Sequence, residues 1–99
     1  MENAAEPINV VATLTAKPGK EAETKKILLK LVEETHKEPG CLTYMLHEAK
    51  GNPRAFVFIE EWESEKALNE HLQSKHVAAA MQRKEELLES VEIVPLISL

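Results

Sequence analysis

From Ile8 to Leu14 the chain reads Ile-Asn-Val-Val-Ala-Thr-Leu, a short run rich in β-branched residues and so a first strand. Val10, Ala12 and Leu14 fall on one side of it, Val11 and Thr13 on the other. Pro18-Gly19 marks a turn. Between Lys20 and Lys37 the apolar spacing becomes helical. Ile27, Leu28, Leu31, Val32 and Thr35 share a face, while Lys25, Lys26, Lys30, Glu33 and Glu34 lie largely outside it. Glu21 and Glu23 near the start, and His36 and Lys37 near the end, suit the helix macrodipole. Glu38-Pro39-Gly40 stops the helix, because Pro39 disfavours helical geometry at Glu38.

Cys41 to Glu48 and Phe56 to Glu63 read as the next two strands. Lys50-Gly51-Asn52-Pro53 carries turn chemistry between them, so the pattern predicts an antiparallel hairpin with a loop longer than two residues. Ser64 is placed to cap a short helix running through His71-Leu72. Ser74 is placed to cap another, in which Val77, Met81 and Leu88 make a stripe flanked by Ala80, Lys84 and Leu87. Val91 to Ile97 closes the chain as a strand that Pro95 restricts to a sheet edge or to a departing tail. Residues 1–7 are expected to be a disordered tail and residues 8–99 a single domain. Strand, helix, strand, strand, helical segment, strand is the split βαβ, ferredoxin-like order. It predicts an α+β fold with a four-stranded antiparallel sheet and helices on one face.

The strands also bear on the other face. Phe56 and Phe58 oppose Val57 and Ile59; Leu42, Tyr44 and Leu46 oppose Cys41, Thr43 and Met45. A half-solvated sheet shows one polar face, and this one does not. The expected cover is the same sheet of a second copy, in a two-fold homodimer; the alternative is a strongly twisted sheet whose outer face is only modestly apolar.

Composition narrows the chemistry. Over 99 residues the net charge is −5, which argues against nucleic acid or an anionic membrane as partner. No stretch is long and apolar enough to span a bilayer, and Met1-Glu2-Asn3 does not open a signal peptide, so the expected location is cytoplasmic. All 17 acidic residues are Glu, which removes calcium loops and aspartate-centred magnesium sites. The glycines are scattered rather than clustered for phosphate, and the lone Cys41 makes neither an internal disulfide nor a thiolate zinc cage. His71 and His76 are five apart across a helix break, outside the spacings that converge on a metal, so no metal site is expected.

What remains is a group of side chains around the third strand. Trp62 and Glu60 are in phase with Phe56 and Phe58. A carboxylate between Phe58 and Trp62 must be paired, solvated at a cavity mouth, or raised in pKa; the last two are functional states. Tyr44 on the neighbouring strand would share that face as donor or wall. His71 has a side chain suited to proton transfer near neutrality. His36 and His47 read as helix-end or surface residues. Trp62 and His71 read equally well as packed core residues. Asn9 is the polar exception in the first strand.

Lys17-Pro18-Gly19-Lys20-Glu21, then Glu38 to Tyr44, then Ile59-Glu60-Glu61-Trp62-Glu63-Ser64 running on to His71-Leu72-Gln73-Ser74-Lys75-His76, together resemble the antibiotic biosynthesis monooxygenase domain. The resemblance covers roughly residues 8–95 and is nearest to small bacterial quinol monooxygenases. It implies a dimeric α+β barrel with a cavity between sheet and helices in each subunit. The implied reaction is oxidation of a hydroquinone or polycyclic phenol by dioxygen, without metal, flavin or haem. His71 or Glu60 would act as base, with Trp62, Tyr44, Phe58, His76 and Asn9 as substrate contacts. The family's haem-degrading branch needs Asn, Trp and His where this chain has Ala12, His71 and Met81, so haem degradation is not implied. Two alternatives stay open. One is an isomerase of a small phosphorylated dione, for which Arg54 would be the phosphate contact. The other is a dimeric binding or accessory module without activity.

Overall fold

The computed structural model describes residues 6–99. Its elements run β1 (Ile8–Ala16), α1 (Glu21–Thr35), β2 (Cys41–Ala49), β3 (Asn52–Trp62), α2 (Glu65–Leu72), α3 (Lys75–Met81), α4 (Lys84–Leu87) and β4 (Leu88–Leu96). The strands form one sheet in the order β2-β3-β1-β4, every pair antiparallel. This is the ferredoxin-like α+β fold, with the helices on one face. Glu6 and Pro7 precede β1, and the rest of the expected tail lies outside the described residues.

Alternation decides which residues meet the helices. Val10, Ala12, Leu14 and Ala16 of β1 are buried, and so are Phe56, Phe58, Glu60 and Trp62 of β3. Leu28 and Leu31 of α1, Ala67 and Leu68 of α2, Ala80 of α3 and Leu87 of α4 close over them. Burying a large apolar side chain contributes about 1.5–3 kcal/mol, so this layer is the main source of stability. Ser64 caps α2 by accepting from the Ala67 amide at 3.1 Å, and Ser74 caps α3 by accepting from the Val77 amide at 3.3 Å. Pro95 lies on the edge strand, opposite Val10.

Four local features differ from the sequence expectation. The hairpin loop is only Lys50-Gly51, since Ala49 already pairs with Asn52; Gly51 makes it possible at φ +85°. The last helical stretch breaks after Met81, so Leu88 opens β4 rather than extending the Val77–Met81 stripe. α1 ends at Thr35, and His36 and Lys37 lie beyond it. In β2, Cys41 pairs with Trp62 but Thr43 pairs with Glu61, which makes Leu42 the extra residue of a bulge. Leu42 is therefore 52% exposed, and Cys41, not Leu42, joins the Tyr44 side of the sheet.

The outer face keeps its apolar character. Met45 pairs with Ile59, Ile59 with Val11, and Val11 with Val94, making one apolar row across all four strands. Met45, Ile59 and Val94 are exposed, and the described helices lie on the other face.

Candidate active site

β3 supplies the floor of the site. Glu60 and Trp62 stand two residues apart on the inner face, and the Trp62 indole N–H donates to Glu60 Oε1 at 2.9 Å. Tyr44 lies opposite Glu60 in the β2–β3 register, and its ring stacks on Phe58 with centroids 4.6 Å apart. α2 lays His71 over this floor. His71 is only 3% exposed, and its ring lies 4.4 Å from Trp62 and 5.2 Å from Tyr44.

A residue outside the sequence-based set completes the arrangement. Glu38, in the loop after α1, presents one carboxylate oxygen to two imidazoles: Oε2 accepts from His71 Nδ1 at 2.7 Å and from His76 Nε2 at 2.5 Å. The spacing of His71 and His76 had argued against convergence on one point. They converge because the chain turns at Ser74, whose hydroxyl donates to the His71 carbonyl at 2.7 Å while it caps α3. Glu38 reaches them because Gly40 brings its loop hard against α2. A Cβ at Gly40 would stand 2.5 Å from the Ala67 Cβ, and the Gly40 carbonyl accepts the Glu63 amide at 2.9 Å. The sequence did carry a signal for Glu38. An acidic side chain just past a helix C-terminus opposes the macrodipole and so calls for a compensating donor.

Burial sets the protonation states. It pushes the His71 pKa below its ordinary value, against the hydrogen bond and charge of Glu38, and the nearby His76 lowers it further. Burial likewise pushes the Glu60 carboxyl up; the Trp62 N–H opposes that rise, and the charge of Glu38 adds to it. Cys41 is pushed up to about 11 by burial and by Glu38 and Glu60, so its thiol stays protonated and is no nucleophile. Tyr44 is raised by burial and by Glu60 and remains a neutral phenol.

Six of the seven expected site residues therefore meet: His71, Glu60, Trp62, Tyr44 and Phe58 directly, and His76 through Glu38. Asn9 does not join them. It is exposed on the opposite face of β1, paired with Glu61 and Leu96, where it borders an open groove with Pro7 and Ile97. Strand alternation separates it from its neighbour Val10, which does face the site. Arg54 is engaged elsewhere. Its guanidinium donates to the Ala16 carbonyl at 2.8 Å and to Glu89 at 3.1 Å, six strand residues or about 20 Å from Glu60. His36 hydrogen-bonds the Tyr44 carbonyl at 2.9 Å and His47 the Val57 carbonyl at 3.2 Å, so both pin backbone.

The rings of the site pack on one another rather than around an open volume. An apolar depression lies between α1 and α3, about 230 Å³ in volume, lined by Ile27, Leu31, Ala79, Ala80 and His76 among others. A more polar one of about 420 Å³ is lined by Tyr44 with His36 and Cys41. The ligand atoms of Glu38, His71 and His76 all lie within 4.8 Å of one another, which is a donor set of the kind that holds a divalent metal. Metal bonds of about 2.0–2.1 Å would set tetrahedral donors roughly 3.3 Å apart. As they stand, the contacts of 2.7 and 2.5 Å are hydrogen bonds.

The sequence profile of the family described as antibiotic biosynthesis monooxygenase matches residues 7–83, most of the chain. The chain belongs to the antibiotic biosynthesis monooxygenase family. Among solved structures, PA3566 from Pseudomonas aeruginosa is similar over 99% of both chains, with 33% identity and a TM-score of 0.91. Among curated relatives, the uncharacterized protein sll1783 of Synechocystis is 28% identical over 88 residues, which is 89% of this chain. The uncharacterized protein YjcS of Bacillus subtilis is 37% identical over 67 residues, or 68% of this chain. The aligned segments span 60% and 62% of the lengths of those two relatives. The stretch from Phe56 to His76, which includes Glu60, Trp62, His71 and His76, lies wholly within the family match.

Proposed function

We propose that this chain is a cofactor-independent monooxygenase that oxidises a hydroquinone or polycyclic phenol with dioxygen. One observation carries the reading: a buried imidazole held neutral by burial is packed on the aromatic wall of Tyr44, Phe58 and Trp62. An electron-rich aromatic diol stacks well on such a wall, and a neutral imidazole accepts its phenolic proton. The resulting phenolate is a strong enough reductant to pass an electron to dioxygen. Recombination of the radical pair forms a C–O bond as a hydroperoxide, and loss of water leaves the carbonyl of a quinone. One oxygen atom ends in product and one in water, so the protein supplies a base, orientation and exclusion of bulk water.

The depression beside His76 gives the approach. Its volume of about 230 Å³ lies below the roughly 300–1,000 Å³ of ligand pockets, so α3 parts from α1 as substrate enters. α3 is suited to this, with seven residues and Ala80 as its one buried side chain. A second copy of the chain covers the Met45–Ile59–Val11–Val94 row and completes a homodimer.

The test is oxygen uptake after a reduced naphthoquinol is mixed anaerobically with metal-chelated protein and then exposed to air. The expected result is uptake well above the buffer rate and proportional to protein. Uptake equal to buffer alone contradicts the proposal. The phosphorylated-dione alternative has no comparable support, since its expected contact Arg54 is paired with Ala16 and Glu89 far from the aromatic wall.

A further inference from the structure

We propose that Glu38 is a positioning residue that sets the tautomer of His71 and so makes His71 Nε2, rather than Glu60, the base of the oxygenation. This rests on the oxygenase reading above. A carboxylate oxygen only accepts hydrogen bonds, so each ring nitrogen that touches it carries the proton. Glu38 Oε2 is touched by Nδ1 of His71 and by Nε2 of His76. Neutral His71 is therefore protonated at Nδ1 and bare at Nε2, while His76 has the opposite tautomer. The two donors approach from different elements, α2 and α3, and hold the one carboxylate between them.

The competing base is less well placed. Oε1 of Glu60 already accepts the Trp62 N–H, and no imidazole bonds it among the described residues. The groups that face His71 are Glu38 from the loop after α1, His76 from α3, Tyr44 from β2, and Trp62 with its Glu60 partner from β3. Only Glu38 both bonds the ring and carries a charge that stabilises the imidazolium. In the proton transfer the substrate O–H bond breaks and the Nε2–H bond forms. The electron pair stays on the phenolate oxygen, and the new positive charge lies against Glu38 across the ring. Glu38 touches no reacting atom and acts through His71.

The tautomers are read directly from the ring nitrogens of the substrate-free protein by ¹⁵N NMR at about pH 8, above the ordinary histidine range. The expected spectrum has His71 protonated at Nδ1 and His76 at Nε2. Glu38→Ala should release His71 to a mixture of tautomers. Glu38→Gln keeps the bulk but loses the charge; it should lower kcat at least tenfold, about 1.4 kcal/mol of barrier, with KM little changed. It should also move the acidic limb of the pH–rate profile to lower pH. His71 protonated at Nε2 in the unmodified chain, or a tautomer indifferent to Glu38→Ala, overturns the proposal. So does zinc binding at one ion per chain that Glu38→Gln abolishes, for the three residues would then be metal ligands. An absence of quinol turnover would sink the oxygenase reading and with it the role of His71 as base, whereas the positioning of the His71 tautomer by Glu38, measured without substrate, is decided separately.

Discussion

At the scale of the residue, His71 and Glu60 are buried ionisable groups whose shifts act on stability in opposite directions. The His71 pKa is lowered in the folded chain from 6.5, so on acidification the unfolded chain takes up the proton first. Its contribution is full above 6.5 and is lost as pH falls below that value. The Glu60 pKa is raised from 4.5, so the folded chain holds that proton more tightly. Its contribution is full below 4.5 and declines as pH rises through the window above it. Urea unfolding should therefore show that Glu60→Gln gains stability relative to the parent chain as pH rises from about 4.5. A constant difference across pH would mean that Glu60 titrates alike in the folded and unfolded chains, against the upward shift that burial gives it. Trp62→Phe keeps most of the packing but leaves Glu60 Oε1 without its donor, and should destabilise by about 1–3 kcal/mol. These two residues were legible as a pair, because strand alternation puts i and i+2 on one face. The direction of Asn9 follows from the same rule, and the composition of its strand concealed it.

At the scale of the element, the site depends on a close approach of loop and helix. Gly40 lies in an ordinary backbone conformation, so its importance is space rather than torsion. Gly40→Ala would drive a Cβ to 2.5 Å from that of Ala67, so the α1–β2 loop must back away from α2 and carry Glu38 off His71. The expected loss is about 1–3 kcal/mol in chemical denaturation. Ala67→Gly in the same chain should restore part of it, because the two substitutions share one contact. Additive losses would locate the effect elsewhere. Both serine caps and the edge role of Pro95 were readable from local chemistry, and Pro39 marked the end of α1 to within a few residues. The Leu42 bulge and the break after Met81 were not, since neither carries a Gly or Pro to mark it. The convergence of His71, His76 and Glu38 was equally hidden. It joins residues 33 and 38 positions apart, and spacing along one helix does not report such contacts.

At the scale of the whole molecule, the order of strands and helices followed from hydrophobic period together with turn and capping residues, and so did the sidedness of the sheet except at the Leu42 bulge. The apolar row Met45–Ile59–Val11–Val94 leads to a quantitative expectation for assembly. Ile59→Lys places a charge mid-row on a face that the proposed dimer buries. Sedimentation velocity should move from dimer to monomer while the far-ultraviolet spectrum stays that of the folded chain. A monomeric parent chain, or a dimer indifferent to the substitution, would contradict the assigned interface. The site built of Glu, His and aromatic rings fits the proposed reaction, in which substrate and oxygen would carry the redox chemistry and the protein the proton. Labelled dioxygen tests that claim most directly. With ¹⁸O₂ and a reduced naphthoquinol, the chain should place one labelled atom in the quinone product, and His71→Ala should lower the rate of incorporation at least tenfold. Quinone formed at the full rate with no label, or label incorporated equally without His71, would contradict the account.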